Sequence, residues 1–121
     1  MVRTVLIVED EPNIADALRF LLTREGFDVS VERDGAKAMD RLRDMAADLV
    51  ILDVMLPNRS GFDILRDMRA GTGTRTPVLM LTAKGQTQDR QTAEALGVTA
   101  FMTKPFSNAE VVETVRDLAG A

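Results

Sequence analysis

The sequence predicts an α/β fold, a doubly wound parallel sheet of five strands with helices on both faces. Short apolar runs recur along the 121 residues, and such runs are typical of strands that are buried on both faces of a parallel sheet. Between and after these runs, apolar residues recur at helical spacing. An alternation of strands and helices favours right-handed crossovers, which place helices on both sides of one sheet.

Three of the predicted strands are strongly apolar and two are weaker. They are Val5–Val8, Leu49–Leu52 and Val78–Leu81, then Phe27–Val31 and Val98–Met102. Four helices have a clear apolar stripe. The stripes are Ile14, Ala17, Leu18, Leu21 and Leu22 in the first helix, Ala36, Met39 and Leu42 in the second, Phe62, Leu65 and Met68 in the third, and Val111, Val112, Val115 and Leu118 in the last.

Local signals mark the ends of several helices. Pro12 suits a first turn and Gly26 suits a helix exit. Ser107 with Glu110 three residues later forms a capping box. Between the fourth and fifth strands, the segment 86–97 has a polar first half, which predicts a weakly anchored helix that is able to move.

Composition excludes several classes of function. The chain is 45% hydrophobic and 28% charged, as in ordinary globular domains, and its net charge of −4 argues against binding a phosphate backbone with the whole surface. It contains no Cys and no His, which removes thiol nucleophiles, disulfides, the usual zinc sites and histidine catalysis. Any metal must therefore be held by oxygen ligands, which favours Mg²⁺.

The N-terminal segment is neither a signal peptide nor a membrane span. Its apolar run is short and soon ends in Glu9-Asp10-Glu11. We therefore expect a single domain in the cytoplasm.

Polar side chains stand where the predicted strands end. Glu9 and Asp10 follow the first strand, Asp53 the third, Thr82 the fourth and Lys104 the fifth. Ligands bind at the carboxyl ends of the strands in such sheets, so these side chains are expected to converge in one crevice. The second strand ends in Glu32-Arg33 and is expected at the edge of the sheet, away from that crevice.

The charges of this group suit transient binding of a phosphoryl group. Three carboxylates repel one another, and a divalent cation together with Lys104 would balance them. Mg²⁺ prefers one or two carboxylates, waters and a phosphate oxygen. A carboxylate such as Asp53 acts as a nucleophile when it forms an aspartyl-phosphate. Each residue alone has an ordinary interpretation as a helix cap, a strand residue or a surface charge, but together they predict a site.

With these residues in this order, the sequence resembles the receiver domains of bacterial two-component response regulators over essentially its whole length (1–121). The matching motifs are Val8-Glu9-Asp10-Glu11, Leu52-Asp53-Val54-Met55-Leu56-Pro57, Gly61, Thr82-Ala83 and Lys104-Pro105-Phe106. Each is unspecific, whereas the ordered set is specific. The resemblance implies a flavodoxin-like (βα)₅ fold with strand order 2-1-3-4-5.

The resemblance also implies a role for each matching residue. Asp53 would be the phosphoacceptor, and Mg²⁺ would be held by Glu9, Asp10, Asp53 and the backbone carbonyl of Met55. The remaining roles fall on Lys104, which would pair with the phosphoryl group, on Thr82, which would swing toward it, and on Phe101, which would occupy the aromatic switch position. Met55 and Lys84 would tune dephosphorylation, and a cis Lys104-Pro105 peptide is common in the family.

The implied function is a phosphorylation-activated switch of a two-component system. The partner is a histidine kinase or a histidine phosphotransfer protein, and the output is a change in the face formed by the fourth helix, fifth strand and fifth helix. That face is also where a homodimer would form. The domain would bind neither nucleic acid nor membrane, and it would catalyse only its own phosphotransfer and slow dephosphorylation. Phe20, which lies off the first apolar stripe, is expected to be exposed, either as a kinase-docking residue or as an ordinary surface residue.

Two alternatives belong to other classes of protein. A Mg²⁺-dependent phosphohydrolase of the aspartyl-phosphate type commonly carries Asp-x-Asp after the nucleophilic strand, but Met55 stands at the second acidic position. A receiver-like scaffold that works without phosphorylation usually lacks the acceptor, an acidic residue or the lysine, and all of them are present.

Overall fold

The computed structural model describes residues 2–71, 75–83 and 87–120. Within these ranges, five strands and five helices alternate. They are β1 (Thr4–Val8), α1 (Pro12–Arg24), β2 (Asp28–Glu32), α2 (Ala38–Met45), β3 (Leu49–Asp53), α3 (Gly61–Ala70), β4 (Val78–Thr82), α4 (Thr87–Ala95), β5 (Ala100–Thr103) and α5 (Asn108–Ala119). A 3₁₀ turn, Gly35–Lys37, precedes α2. The predicted alternation of elements is confirmed.

All neighbouring strands pair in parallel, in the order β2-β1-β3-β4-β5. The predicted strand order is therefore confirmed. Val8 lies opposite Leu52, and Thr82 opposite Thr103. This register brings the last residues of the three central strands and the start of the segment after β5 to one edge of the sheet.

The core has two layers, one on each face of the sheet. The helices α1 and α5 cover one face, with Leu18, Leu22 and Val115 in its centre. The helices α2, α3 and α4 cover the other, where Leu65 and Met68 are fully buried. Strands covered on both faces need apolar side chains on both faces, which is why β3 and β4 are continuous apolar runs.

Two predicted stripes each contain one wrong residue. In α1, Ala15 is buried and Ala17 is exposed, because the helix turns Ala15 toward Leu18 and Leu22. Before α2, Ala36 lies in the 3₁₀ turn and is exposed, whereas Ala38 is buried. The tighter 3₁₀ turn shifts the helical phase, and the sequence pattern could not reveal this.

The helix ends follow the local signals. The Ser107 side chain accepts a hydrogen bond from the Glu110 amide at 3.1 Å, so the predicted cap of α5 is confirmed. Ser60 caps α3 in the same way, through the amide of Asp63 at 3.2 Å. Helix α4 buries Ala93 and exposes most of its other residues, as its polar sequence predicts. Within the described ranges, none of the helices has the length and apolar character needed to cross a bilayer.

Candidate functional site

Three carboxylates meet at the carboxyl ends of the central strands. Oxygens of Glu9, Asp10 and Asp53 lie within 4.8 Å of one another. Glu9 is fully buried and Asp53 is 4% exposed, whereas Asp10 faces solvent. The sheet register produces this arrangement, because β1 and β3 are adjacent and end at the same level.

Lys104 is the counter-charge of this cluster. Its Nζ donates to Glu9 Oε1 at 2.7 Å and lies 3.3 Å from Asp53 Oδ1. Its backbone amide donates to the Thr82 carbonyl at 2.7 Å, and the Lys104-Pro105 peptide is cis. The lysine therefore reaches from the segment after β5 across β4 to the acidic group.

The electrostatics of the cluster make Asp53 harder to ionise than an ordinary aspartate. Burial, followed by the charge of Glu9, raises the pKa of Asp53 to about 6, although Lys104 opposes this shift. For Lys104, burial lowers the pKa, but the hydrogen bond to Glu9 and the charge of Asp53 outweigh it, so the pKa of the ammonium is raised. An additional positive charge beside Asp53 would relieve this cost.

Both carboxylate oxygens of Glu9 already have donors. Oε1 accepts from Lys104, and Oε2 accepts from the amide of Glu11 at 3.1 Å. Its own amide donates to the Glu32 carbonyl at 3.1 Å, which extends the β1–β2 pairing past the end of the strand. Glu9 is thus fixed in place, whereas Asp10 has an exposed carboxylate at the mouth of the crevice.

The remaining predicted residues surround this centre. Thr82 is the last residue of β4 and is buried. A cavity of about 290 Å³ lies beside it, lined among others by Val54, Met55 and Phe62. Met55 is 76% exposed, so its side chain extends largely into solvent. Lys84 lies outside the described residues.

Phe101 lies farther from the acidic group, on β5. It is half-buried against the layer formed by α2, α3 and α4, and it pairs in register with Met80, two residues before Thr82. The guanidinium of Arg90 on α4 lies 5.0 Å from the centre of the Phe101 ring. The ring thus connects β5 to α4.

The sequence interpretation missed the segment that follows β2. The strand does lie at the edge of the sheet, as expected, but its loop contacts the loop after β3. The Gly35 amide donates to the Pro57 carbonyl at 3.2 Å, and the Asn58 side-chain amide donates to Asp34 Oδ1 at 3.0 Å. The Asp34-Gly35 pair marks a turn in the sequence, but nothing in the sequence indicates what the turn contacts.

Known proteins share this architecture. A family model for the response regulator receiver domain matches residues 5–116. From Mycolicibacterium smegmatis, the sensory transduction protein RegX3 is 42% identical over 113 residues and the DNA-binding response regulator MtrA is 40% identical over 116 residues. These alignments cover 93% and 96% of this chain but 49% and 50% of those proteins. The chain thus spans about half the length of the curated relatives it matches.

A solved structure agrees with these relatives. The receiver domain of the sensor histidine kinase PA1611 from Pseudomonas aeruginosa PAO1 has a TM-score of 0.91 to this chain. The two are 28% identical over the full length of both chains, and the PA1611 crystal structure has a magnesium ion coordinated in its active site cleft. On the family match, the curated relatives and the shared fold, this chain belongs to the response regulator receiver domains of two-component systems.

Proposed function

We propose that this domain is a phosphorylation-controlled signalling switch in which Asp53 accepts a phosphoryl group from a phosphohistidine. The observation that supports this proposal best is the position of Asp53, buried beside two further carboxylates and 3.3 Å from the ammonium of Lys104. A buried carboxylate beside an ammonium group is well suited to attack a phosphorus atom, because the ammonium offsets charge on the transferring group. The new O–P bond forms on Asp53 as the P–N bond to the donor imidazole breaks.

The donor set fits Mg²⁺. Carboxylate and carbonyl oxygens are the ligands that this ion prefers, and Asp10, Asp53, Glu9 and the Met55 carbonyl would hold it. Since the oxygens of Glu9 are already paired with Lys104 and the Glu11 amide, we assign Glu9 a supporting part and Asp10 a direct one. When bound, Mg²⁺ supplies positive charge that offsets the charge of the phosphoryl oxygens.

Lys104 and Thr82 would respond to the phosphoryl group. A dianionic group on Asp53 would compete with Glu9 for the ammonium, so Lys104 would turn toward the phosphate. Thr82 would offer its hydroxyl, and Phe101 would fill the space that Thr82 leaves. Since Phe101 contacts Arg90 on α4, this movement would bias the α4–β5–α5 face between two states.

The partners follow from this chemistry. Residues 1–121 contain no His, so the phosphohistidine would come from outside this domain, from a histidine kinase or a histidine phosphotransfer protein. The residues 1–121 would act as one receiver domain that catalyses its own phosphotransfer and slow dephosphorylation. Three further points stay predictions. They are a homodimer through the α4–β5–α5 face, the absence of nucleic-acid and membrane binding, and a cytoplasmic location.

Phe20 is the surface residue that we assign to donor docking. It is 68% exposed on α1, and Arg24 lies over its ring at 5.6 Å. Exposed aromatic side chains are frequent anchors of protein interfaces. In Phe20→Ala, we expect a several-fold slower transfer from the cognate kinase and an unchanged rate from a small acyl phosphate. If the kinase transfers the phosphoryl group equally fast to the wild-type protein and to Phe20→Ala, Phe20 is an ordinary surface residue.

A beryllofluoride experiment tests the phosphoacceptor directly. We expect the protein to bind this phosphoryl mimic in the presence of Mg²⁺, with new fluorine NMR signals from the bound species. Asp53→Asn should lose these signals while it stays folded by circular dichroism. Binding that persists in Asp53→Asn, or that is absent from the folded wild-type protein with Mg²⁺, would refute the proposal.

A further inference from the structure

The loop after β2 is joined to the loop after β3 by a small set of contacts, which we call the 34–58 clasp. It consists of Asp34, Gly35, Pro57 and Asn58. The Asn58 amide donates to Asp34 Oδ1 at 3.0 Å, and the Gly35 amide donates to the Pro57 carbonyl at 3.2 Å. Asp34 Oδ1 also accepts from the amide of Ala36 at 2.9 Å. One carboxylate therefore begins the 3₁₀ turn and holds the neighbouring loop.

The two loops touch too closely for a side chain at position 35. A Cβ added to Gly35 would lie 2.4 Å from the Arg59 carbonyl oxygen and 3.0 Å from that of Pro57. Gly35 is not among the glycines with positive φ, so its backbone does not require glycine. The need for glycine at this position therefore comes from the contact with the loop after β3.

The loop that the clasp holds is the one that continues from Asp53. Residues 54–60 lie outside the strands and connect Asp53 to α3. At the start of this loop, the amide of Val54 donates to the Leu81 carbonyl of β4 at 3.0 Å. At its far end, the amide of Gly61 donates to the Val54 carbonyl at 2.9 Å. Between these ends lies the exposed Met55, and the clasp at Pro57 and Asn58 is the contact with the neighbouring loop. Movement of the clasp would therefore be transmitted to Met55.

We propose that Asp34, Gly35 and Asn58 are positioning residues of the metal site, which hold the loop 54–60 so that the Met55 carbonyl faces Asp10 and Asp53. This inference rests on the proposed function, because it assumes that the acidic group binds Mg²⁺. It extends the site to β2, the strand that lies at the edge of the sheet. The Glu32 carbonyl at the end of β2 already accepts a hydrogen bond from the Glu9 amide. In this proposal, β2 and the loop after it therefore position both Glu9 and the loop that follows Asp53.

Asn58 allows a clean test because its backbone is left-handed, with φ of 66°. Asparagine tolerates this conformation and glycine adopts it without cost. Asn58→Gly therefore removes the side-chain amide and keeps the backbone geometry. Asp34→Ala removes the acceptor of the same hydrogen bond, and Gly35→Ala separates the two loops by steric contact.

The experiment is a calorimetric titration of the metal-free protein with Mg²⁺ alone. The chain contains no Trp or Tyr, so calorimetry replaces intrinsic fluorescence. We expect the Kd for Mg²⁺ to rise about two- to fivefold in Asn58→Gly, the amount that one exposed hydrogen bond contributes. Gly35→Ala should raise it by about tenfold or more. The double variant Asp34→Ala/Asn58→Gly should have a Kd for Mg²⁺ no higher than that of the single variant with the higher Kd, because the two side chains form one interaction.

The matched control is Arg43→Ala, which removes an exposed 2.9 Å hydrogen bond to Asp40 on α2. It should leave the Kd unchanged even if it lowers the melting temperature as much as Asn58→Gly does. Weaker Mg²⁺ binding in Asn58→Gly but not in the control supports the inference. Binding equal to that of the wild-type protein in both Asn58→Gly and Gly35→Ala overturns it while the proposed function stands. A wild-type protein that binds no Mg²⁺ overturns both.

Discussion

The two flanks of the acidic crevice are built differently. On the flank formed by the loops after β2 and β3, backbone groups fix one another, as Gly35 does with Pro57 and Gly61 with Val54. On the flank formed by α4 and β5, the helix buries Ala93 and contacts β5 through Arg90 and Phe101. Elements with few buried contacts open at low free energy. The difference supports our proposal that the first flank holds the site and the second, which we call the mobile flank, moves in response to it.

Gly61→Ala should break the fixed flank and have the largest effect. A Cβ at position 61 would lie 2.1 Å from the Asp53 carbonyl oxygen. This oxygen belongs to the backbone, so it cannot move away without displacing Asp53. We expect a loss of about 3 kcal/mol in the free energy of unfolding, at the upper end for overpacking. Urea denaturation measures it.

Gly71→Ala is the control for this substitution, because among the described residues the nearest atom to its added Cβ, the Asp67 carbonyl oxygen, is 3.9 Å away. Its cost should stay well below that of Gly61→Ala. Equal costs in the two variants would show that the close approach of Gly61 to β3 is not what stabilises this flank.

Arg69→Ala tests how the mobile flank is attached at its far end. The Arg69 guanidinium donates to the carbonyls of Gly97 and Thr76 at 2.9 and 2.8 Å, and thereby ties α3 to the turn after α4. We expect a loss of about 2 kcal/mol in unfolding free energy, since carbonyls lose a charged donor. Hydrogen exchange of the α4 amides should become faster while that of α1 stays unchanged. Uniform acceleration in both helices would indicate global destabilisation instead.

The pH dependence of stability tests the ionisation of Asp53, which lies between the two flanks. Burial and the charge of Glu9 raise the pKa of Asp53 from its ordinary value of 3.8 to about 6 in the metal-free protein. The folded state therefore binds this proton more tightly than the unfolded state, and the contribution of Asp53 to stability is present below pH 4 and is lost as the pH rises to about 6. Asp53→Asn should lack this loss and be about 1–2 kcal/mol more stable at pH 7, a figure that allows for solvent screening. Chemical denaturation at pH 4 and pH 7 measures it, and parallel pH profiles of the two proteins would contradict it.

The sequence predicts one flank of the site better than the other, for a physical reason. Asp53 and Thr82 were predictable because buried strands have continuous apolar runs, and the polar residue that follows each run marks the edge of the sheet. Lys104 was predictable because it lies just beyond the weaker fifth run. The clasp was not predictable, because Asp34 and Asn58 lie in loops and their contact depends on how two loops pack. The 3₁₀ turn that exchanges Ala36 for Ala38 in the core is likewise a product of that packing.

Arg90→Ala should have the smallest effect and distinguishes motion from stability. The Arg90 guanidinium lies over the Phe101 ring, both are at least partly solvent-exposed, and such pairs contribute about 0.5–1 kcal/mol. Loss of this pair should leave the melting temperature nearly unchanged but broaden the NMR signals of the Phe101 ring and speed hydrogen exchange in α4. Arg24→Ala, which removes the pair with Phe20 on α1, serves as the control and should leave α4 unaffected. If both variants leave the Phe101 signals and the α4 exchange rates as in the wild-type protein, Arg90 does not restrain this flank.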